Sequence, residues 1–525
     1  MEKKKYLNKN TGWFVLLFAA VFSAQAQQHP VYPVKVPNAA EKAVLDAVPV
    51  WRGGLSRAVD LPDGVDNSLK KYFPPVFSQQ GNSCSQASGI RYMFTYEINR
   101  LLDREVVDNN QIFSYFYTWN FLNDGKDEGS FPEMGLNLTK KNGAMTLADM
   151  PDISADKRWQ SGYDKYLRAM HYRTKSISKI PMKTKEGIEQ VMRYLYDRGA
   201  GSSSGGVVTF SCKAANFTPA TYTGTSVTGI KKYIDRLPDD GAHALTIVGY
   251  DRTVSFDLNG DGAIQEDEKG AFIFVNSWGT WWGDQGKSYF PFKFFLDPVE
   301  NGGLSESDAT ATCMTPEIHE PKIVFKVKLN YTSRNDLSFT LGVADGEDAD
   351  VPEYSMAVDI MSRQGGDFPM QGYAYLANAN EMEVALNFTD MLPRMESFKK
   401  PKYFLEVRQI VNGEKGSGMI EHFSVVDYRS GSENPKEFVC ENAEGTVIKG
   451  ATKLTVATTA PRTSVSCSPE QWKDKETQKV KSGIFFMKTA DGRYVKVQFT
   501  GYDKNTGKAT FRYFYQGDGS RNLRR

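Results

Sequence analysis

The sequence predicts an α+β protein made of more than one domain. Three observations lead there: apolar residues at helical spacing before about residue 200, two β-rich apolar runs at 241–250 and 271–279, and period-two alternation beyond about residue 316. A chain of 525 residues also exceeds what a single hydrophobic core usually supports. With 64 Lys+Arg against 63 Asp+Glu, no basic excess points to nucleic acid or an anionic membrane surface.

The N-terminus carries Lys3, Lys4, Lys5 and Lys9, then an apolar run from Trp13 to Phe22, then Ala24-Gln25-Ala26. A basic start, a short apolar core and a small-x-small end predict a signal peptide over 1–26, cleaved after Ala26, and hence a secreted, periplasmic or cell-envelope location. No segment offers the run of roughly 18 apolar residues that a membrane helix needs. Residues 27–54 form a Pro-containing leader whose one helical stretch is 39–48, and they read as a strap over the core or a removable segment.

Two prolines and a glycine then shape an irregular turn, Pro74-Pro75-Val76-Phe77-Ser78-Gln79-Gln80-Gly81-Asn82-Ser83-Cys84. After it Ala87, Ile90, Phe94, Ile98 and Leu101 recur every three or four residues, so Cys84 starts an amphipathic helix. Residues 110–150 read as helices with loops, 185–197 as a helix ended near Gly199 and Gly201, and Val207-Val208-Thr209-Phe210 as a strand. Past residue 316, Ile323, Phe325, Val327 and Leu329 alternate with polar positions, as do Met382, Val384, Leu386 and Phe388, and later Tyr403, Leu405 and Val407. This predicts a β-sandwich-like domain over 316–470, followed by a hairpin unit over 471–525 with turns at Asp491-Gly492 and Asn505-Thr506-Gly507.

Five cysteines in an exported chain leave one unpaired. If Cys84 is a working thiol, Cys212, Cys313, Cys440 and Cys467 form zero, one or two bridges. A thiol at a helix start has its anion stabilised by free backbone N–H groups, which lowers its pKa and populates the nucleophile. A neighbouring imidazole completes the activation. Of five histidines, His243 alone lies at the edge of a buried strand, just before the strand that ends at Asn276. Asn276 can accept the ring's second N–H and hold its orientation, the third role of a triad.

The three stretches Gln79-Gln80-Gly81-Asn82-Ser83-Cys84, Ala242-His243-Ala244 and Asn276-Ser277-Trp278-Gly279-Thr280-Trp281-Trp282-Gly283 together resemble the papain family of cysteine peptidases over roughly residues 55–300, within a domain expected to span 55–315. The resemblance implies a two-lobed domain with its site in the cleft, acting on peptide or protein substrates without a catalytic cofactor. By position it makes Cys84 the nucleophile, His243 the general acid and base, Asn276 the orienter and Trp278 the shield of their hydrogen bond. It places Gly129 and Ser130 on the substrate backbone, Phe131, Pro132 and Met134 at the specificity pocket, and Ala242 beside the substrate. The family's oxyanion-hole glutamine falls where this chain has Ser78, so Gln79 is the candidate, with Gln80 held open. The aromatic residue that usually follows the nucleophile is replaced by Ser85-Gln86.

Between the two organising strands, residues 257–268 match a twelve-position calcium loop. Asp257, Asn259, Asp261, the Ala263 carbonyl, Gln265 and Glu268 are the expected ligands of a structural calcium. Two other readings compete: a catalytically silent papain-like domain in a surface binding or adhesion protein, and a transglutaminase- or amidase-type acyl transfer. The C-terminal β region is expected to dock a surface or protein ligand.

Overall fold

A computed structural model of the chain describes residues 34–35, 37–53, 60–152, 156–202, 204–409, 416–458, 485–488, 494–502 and 509–516. The predicted signal peptide, Cys467 and both C-terminal turns lie outside them. Among the described residues no helix is long and apolar enough to cross a membrane.

The chain is α+β. A helical lobe comes first: one continuous helical stretch, 84–101, is buried on nearly every face through Asn99. Its middle, Ala87–Phe94, widens to π-helical pitch, a local loosening that places one more residue in the turn. Helices Tyr115–Leu122 and Pro132–Asn142 pack against it. The β lobe is a nine-stranded sheet centred on the long strand Ala242–Ser255, flanked by Val208–Lys213 and Lys269–Val275. Helix and sheet meet at a buried hydroxyl cluster in which Ser88 Oγ lies 2.5 Å from Thr209 Oγ1 and 2.8 Å from Thr246 Oγ1. Because Ser88 is one turn beyond Cys84 and Thr246 three residues beyond His243, this contact fixes the Cys84 helix against the His243 strand.

Some local structure departs from the sequence expectations. The helix Lys185–Asp197 ends on Arg198 in the left-handed region (φ 60°), one residue before the glycine expected to stop it. The guanidinium is held there by Glu97 at 2.5 Å and stacks over the Tyr194 ring, contacts a glycine cannot make. The strand Tyr172–Pro181 follows directly on helix Tyr163–Met170, where the sequence reads as polar and helical; pairing with Thr310–Ile318 overrides its weak pattern.

Beyond Ile318 two antiparallel sheets form a sandwich. One is ordered Glu381–Asn387, Ile323–Tyr331, Gly418–Asp427, Lys436–Val439; the other is Tyr354–Val358, Leu337–Asp345, Pro401–Gln409, Ala451–Ala457. The alternating Ile323, Phe325, Val327 and Leu329 are all buried between them. Strands Phe485–Lys488, Tyr494–Tyr502 and Ala509–Gln516 form a separate three-stranded sheet. One apolar core runs from the helical lobe through Trp159 and Tyr163 into the sandwich, and a second fills the β lobe.

Candidate active site

The irregular turn before Cys84 is built by its own polar groups. Ser83 Oγ donates to the Gln80 carbonyl at 2.6 Å, and the N–H groups of Gln86 and Ala87 both return to the Ser83 carbonyl. Asp127 holds the turn from outside, accepting the Asn82 N–H at 2.7 Å on its carboxylate and the Asn82 side-chain amide at 2.5 Å on its carbonyl. Cys84 is fully buried, and the Ala244 backbone N–H reaches its sulfur. The thiol therefore sits against the residue that follows His243.

His243 Nε2 lies 2.9 Å from Asn276 Oδ1. That oxygen also accepts the Ser277 backbone N–H at 2.7 Å, which identifies it as the acceptor and leaves the hydrogen on Nε2. Nδ1 is then the ring's basic nitrogen, and it is buried without a hydrogen bond. The Trp278 ring lies over the imidazole at 4.7 Å between centroids, and both are buried. Trp282 meets Trp278 edge-on and donates its indole N–H to the Phe217 carbonyl, anchoring the shield from behind.

The electrostatics differ from the simple helix-start expectation. Burial pushes the Cys84 thiol up to about 11, outweighing the backbone hydrogen bonds that favour its anion. Burial likewise pushes the His243 imidazole down to about 4, against the Asn276 bond. Each group taken singly is neutral near pH 7. The lowered thiol pKa expected at a helix start is therefore reversed, because complete burial of the sulfur outweighs the N–H groups around it.

Of the two candidate glutamines, Gln79 is the one whose side chain bonds beside Asn276. Ser277 Oγ donates to its Oε1 at 2.6 Å, its backbone N–H donates to the Ser277 carbonyl at 2.8 Å, and Nε2 donates to the Gly81 carbonyl at 3.0 Å. Gln80 contributes backbone groups, its N–H donating to the Tyr115 hydroxyl at 3.2 Å and its carbonyl accepting Ser83.

Gly129, Ser130, Phe131 and Pro132 are buried on the loop that runs into helix Pro132–Asn142, with Met134 half-buried. The polar pair after the nucleophile ties this loop down: Ser85 Oγ donates to the Ser130 carbonyl at 2.5 Å, and Gln86 Nε2 donates to Ser130 Oγ and the Phe131 carbonyl, each at 2.9 Å. Thr118 fixes the other end of the amide at 2.9 Å, and a Cβ at Gly135 would fall 1.8 Å from Gln86 Oε1, so only glycine fits beside it. Sequence reading did not assign Ser85, Gln86 or Asp127. The signal for the first two was the polar replacement of an expected aromatic; nothing local marks Asp127. On the opposite wall, the Ala242 carbonyl accepts the Val34 N–H at 3.0 Å, so the leader occupies the group expected to face substrate. The leader then forms helix Ala39–Asp46 and pairs at Val50 with Lys179.

In residues 257–268, Asp257 accepts the N–H groups of Gly260, Asp261 and Gly262, Asn259 accepts from Asp261, and Asp261 accepts from Ala263. Both Glu268 oxygens are taken by the N–H groups of Leu258 and Gln265 at 3.0 Å. Among the described residues no group of three or more His, Cys, Asp or Glu side chains is disposed to hold a metal. Cys212, Cys313 and Cys440 are buried free thiols, so no disulfide joins the described cysteines; Cys212 pairs directly opposite His243 in the sheet.

No family model and no curated protein sequence matches the chain. Among solved structures, the chain is similar to procathepsin B S9 from Trypanosoma congolense, at 13% identity and TM-score 0.36 over 54% of this chain and 86% of that one. It is similar to xylellain, a cysteine protease from Xylella fastidiosa, at 16% identity and TM-score 0.36 over 55% and 94%. It is also similar to the bromelain protease from Ananas comosus, in complex with the E64 inhibitor, at 16% identity and TM-score 0.32 over 49% and 99%. At such scores the functional reading rests on the side chains of this site and not on those neighbours.

Proposed function

We propose that the chain is an exported cysteine peptidase that hydrolyses peptide bonds through Cys84, His243 and Asn276. The observation that carries this is the His243–Asn276 bond at 2.9 Å, which leaves a buried, unpartnered Nδ1 beside the strand residue whose N–H reaches the Cys84 sulfur. Nδ1 takes the thiol proton as Sγ attacks the substrate carbonyl; the C–S bond forms and the carbonyl electron pair moves to oxygen. The oxyanion receives the Cys84 N–H and a Gln79 Nε2 hydrogen. On collapse the C–N bond breaks, and His243 returns the proton to the leaving amine. Water, deprotonated by the same ring, then attacks the thioester; the C–S bond breaks, the acid leaves and Nδ1 returns the proton to Sγ. Because the proton leaves sulfur as Sγ attacks, the negative charge passes to the carbonyl oxygen, where the oxyanion donors meet it, instead of resting on a buried thiolate.

The test is a peptide-library digest by wild type and Cys84→Ala. Cleavage by the wild type alone supports the reading. No cleavage by either favours the silent binding domain, and incorporation of an amine into a glutamine peptide favours acyl transfer. Calcium at residues 257–268 is a separate proposal, supported by the order of oxygen-bearing side chains; no catalytic step passes through it.

A further inference from the structure

The sandwich meets the helical lobe at several places, among them Tyr163 with Tyr428 and Lys141 with Asp359, and one of these contacts falls on the short loop that leads to the candidate site. Arg334, in the sandwich, is fully buried, and the partners of its guanidinium are backbone carbonyls. Its guanidinium instead donates Nε at 2.8 Å and a second N–H to the Gly365 carbonyl, and Nη1 at 2.7 Å to the Lys157 carbonyl of the peptidase part. It stacks over Trp159 of that part at 4.2 Å, and its backbone N–H donates to the Phe368 carbonyl at 2.9 Å. A buried cation spending its donors on carbonyls, with burial pulling its pKa down to about 9, is costly unless its geometry is used.

What this fixes is the segment Gly365-Gly366-Phe368, which grips the loop after helix Tyr115–Leu122. Gly366 N–H donates to Asp124 Oδ1 at 3.0 Å. The Phe368 ring lies so close over Gly125 (φ 67°) that a Cβ there would fall 2.4 Å from it. Two residues beyond Gly125, Asp127 holds the Asn82 turn two residues before Cys84; three further, Ser130 is tied to Ser85 and Gln86. One loop thus carries both the sandwich contact and the two tethers of the nucleophile's turn.

Resting on the peptidase reading, we propose that the sandwich is a positioning element of the active site: through Arg334 and Phe368 it sets the loop 124–130 that aligns Gly129 and Ser130 with substrate and braces the Cys84 turn. Arg334, Phe368 and Asp124 are positioning residues and touch no reacting atom. The sandwich is then part of the working enzyme and not a tethered appendage.

The experiment uses the full chain as wild type, Asp124→Ala, Asp124→Asn and Phe368→Ala. For a peptide extending several residues before the scissile bond, Asp124→Ala and Phe368→Ala should raise KM about tenfold or more with a smaller change in kcat, because displacement of a binding loop by about 1 Å is costly. Amide hydrogen exchange at 124–131 should quicken in both, with the sandwich strands unchanged. Asp124→Asn keeps the Oδ1 acceptor and tolerates the positive φ, and should behave as wild type. Unchanged KM and unchanged loop exchange in both variants would overturn the proposal, as would a quickened loop with normal KM. If the wild type cleaves no peptide, the functional reading fails on its own. Iodoacetamide alkylation of Cys84 and loop exchange then decide, altered rates in Asp124→Ala and Phe368→Ala supporting the positioning role and unaltered rates overturning it.

Discussion

At the residue scale, the arrangement turns on which imidazole nitrogen carries the hydrogen. Asn276 Oδ1 accepts from both His243 Nε2 and the Ser277 N–H, so the tautomer is set by a backbone amide as well as by the His243–Asn276 bond. Removing Gln79 by substitution to alanine is expected to cost on the order of 100-fold in kcat with little change in KM, since its amide meets charge that exists only in the transition state. Gln80→Ala, whose described bonds are made by its backbone, should keep most activity; steady-state kinetics on one peptide decides between them, and the reverse ranking would reassign the oxyanion donor. The acid limb of the kcat/KM profile should lie near 4, where the buried His243 takes up a proton and can no longer act as the base. Stability carries the same signature. The unfolded imidazole binds a proton below about 6.5 and the folded one only below about 4, so stability is present above 6.5 and is lost as pH falls between those values. The full difference corresponds to about 3 kcal/mol. His243→Gln should flatten denaturant-derived stability across that window by a comparable amount, and an unchanged slope would contradict the buried neutral imidazole.

At the element scale, two segments lie beside the working strands. The leader donates the Val34 N–H to the Ala242 carbonyl, one residue before His243. Val34→Pro removes that donor without enlarging the side chain much, and kcat/KM of the full chain should rise several-fold, about what one backbone hydrogen bond contributes; equal activity would mean the leader does not compete with substrate there. For the loop 257–268, calcium binding predicts a higher Tm in excess calcium than in chelator, by RT ln(1 + [L]/Kd) converted through the unfolding entropy. Equal melting temperatures would remove calcium from the account. These elements also show what was legible. Periodicity marked the 185–197 helix and the alternating strands from Ile323, whose apolar residues are buried where the pattern requires; it also marked the Cys84 helix, but that helix is buried on nearly every face and not on one, and Leu101, on the expected apolar stripe, is exposed. The strand Tyr172–Pro181 was not legible, since its polar sequence is held by pairing with a strand some 140 residues away, as with Ile177 opposite Met314. Gln79, five residues before Cys84, could be named as a candidate, but its preference over Gln80 needed the Ser277 contact from across the cleft. The lowered thiol pKa was misjudged because helix-start stabilisation is local and readable, whereas complete burial of the sulfur is a property of the assembled lobes.

At the scale of the whole molecule, a helical lobe and a β-rich lobe meet at a site formed by residues far apart in sequence, and a sandwich packs against the helical lobe. Tyr163 and Tyr428 share a hydroxyl contact at 2.8 Å, and Gly162 N–H donates to the Glu383 carbonyl at 2.8 Å, so the sandwich is joined by hydrogen bonds as well as by a shared apolar core. Long-range organisation of this kind has no periodic signal. Asp127, the residue that braces the nucleophile turn, sits in a loop with nothing in its neighbours to announce it. The central claim is that the sulfur of Cys84 becomes covalently bonded to substrate. Acid-quenching a turnover mixture with a slowly deacylating peptide ester and mapping adducts by mass spectrometry tests it directly. The account predicts an acyl mass on the peptide containing Cys84, absent in Cys84→Ala. Turnover with no adduct, or an adduct on any other residue, would contradict it.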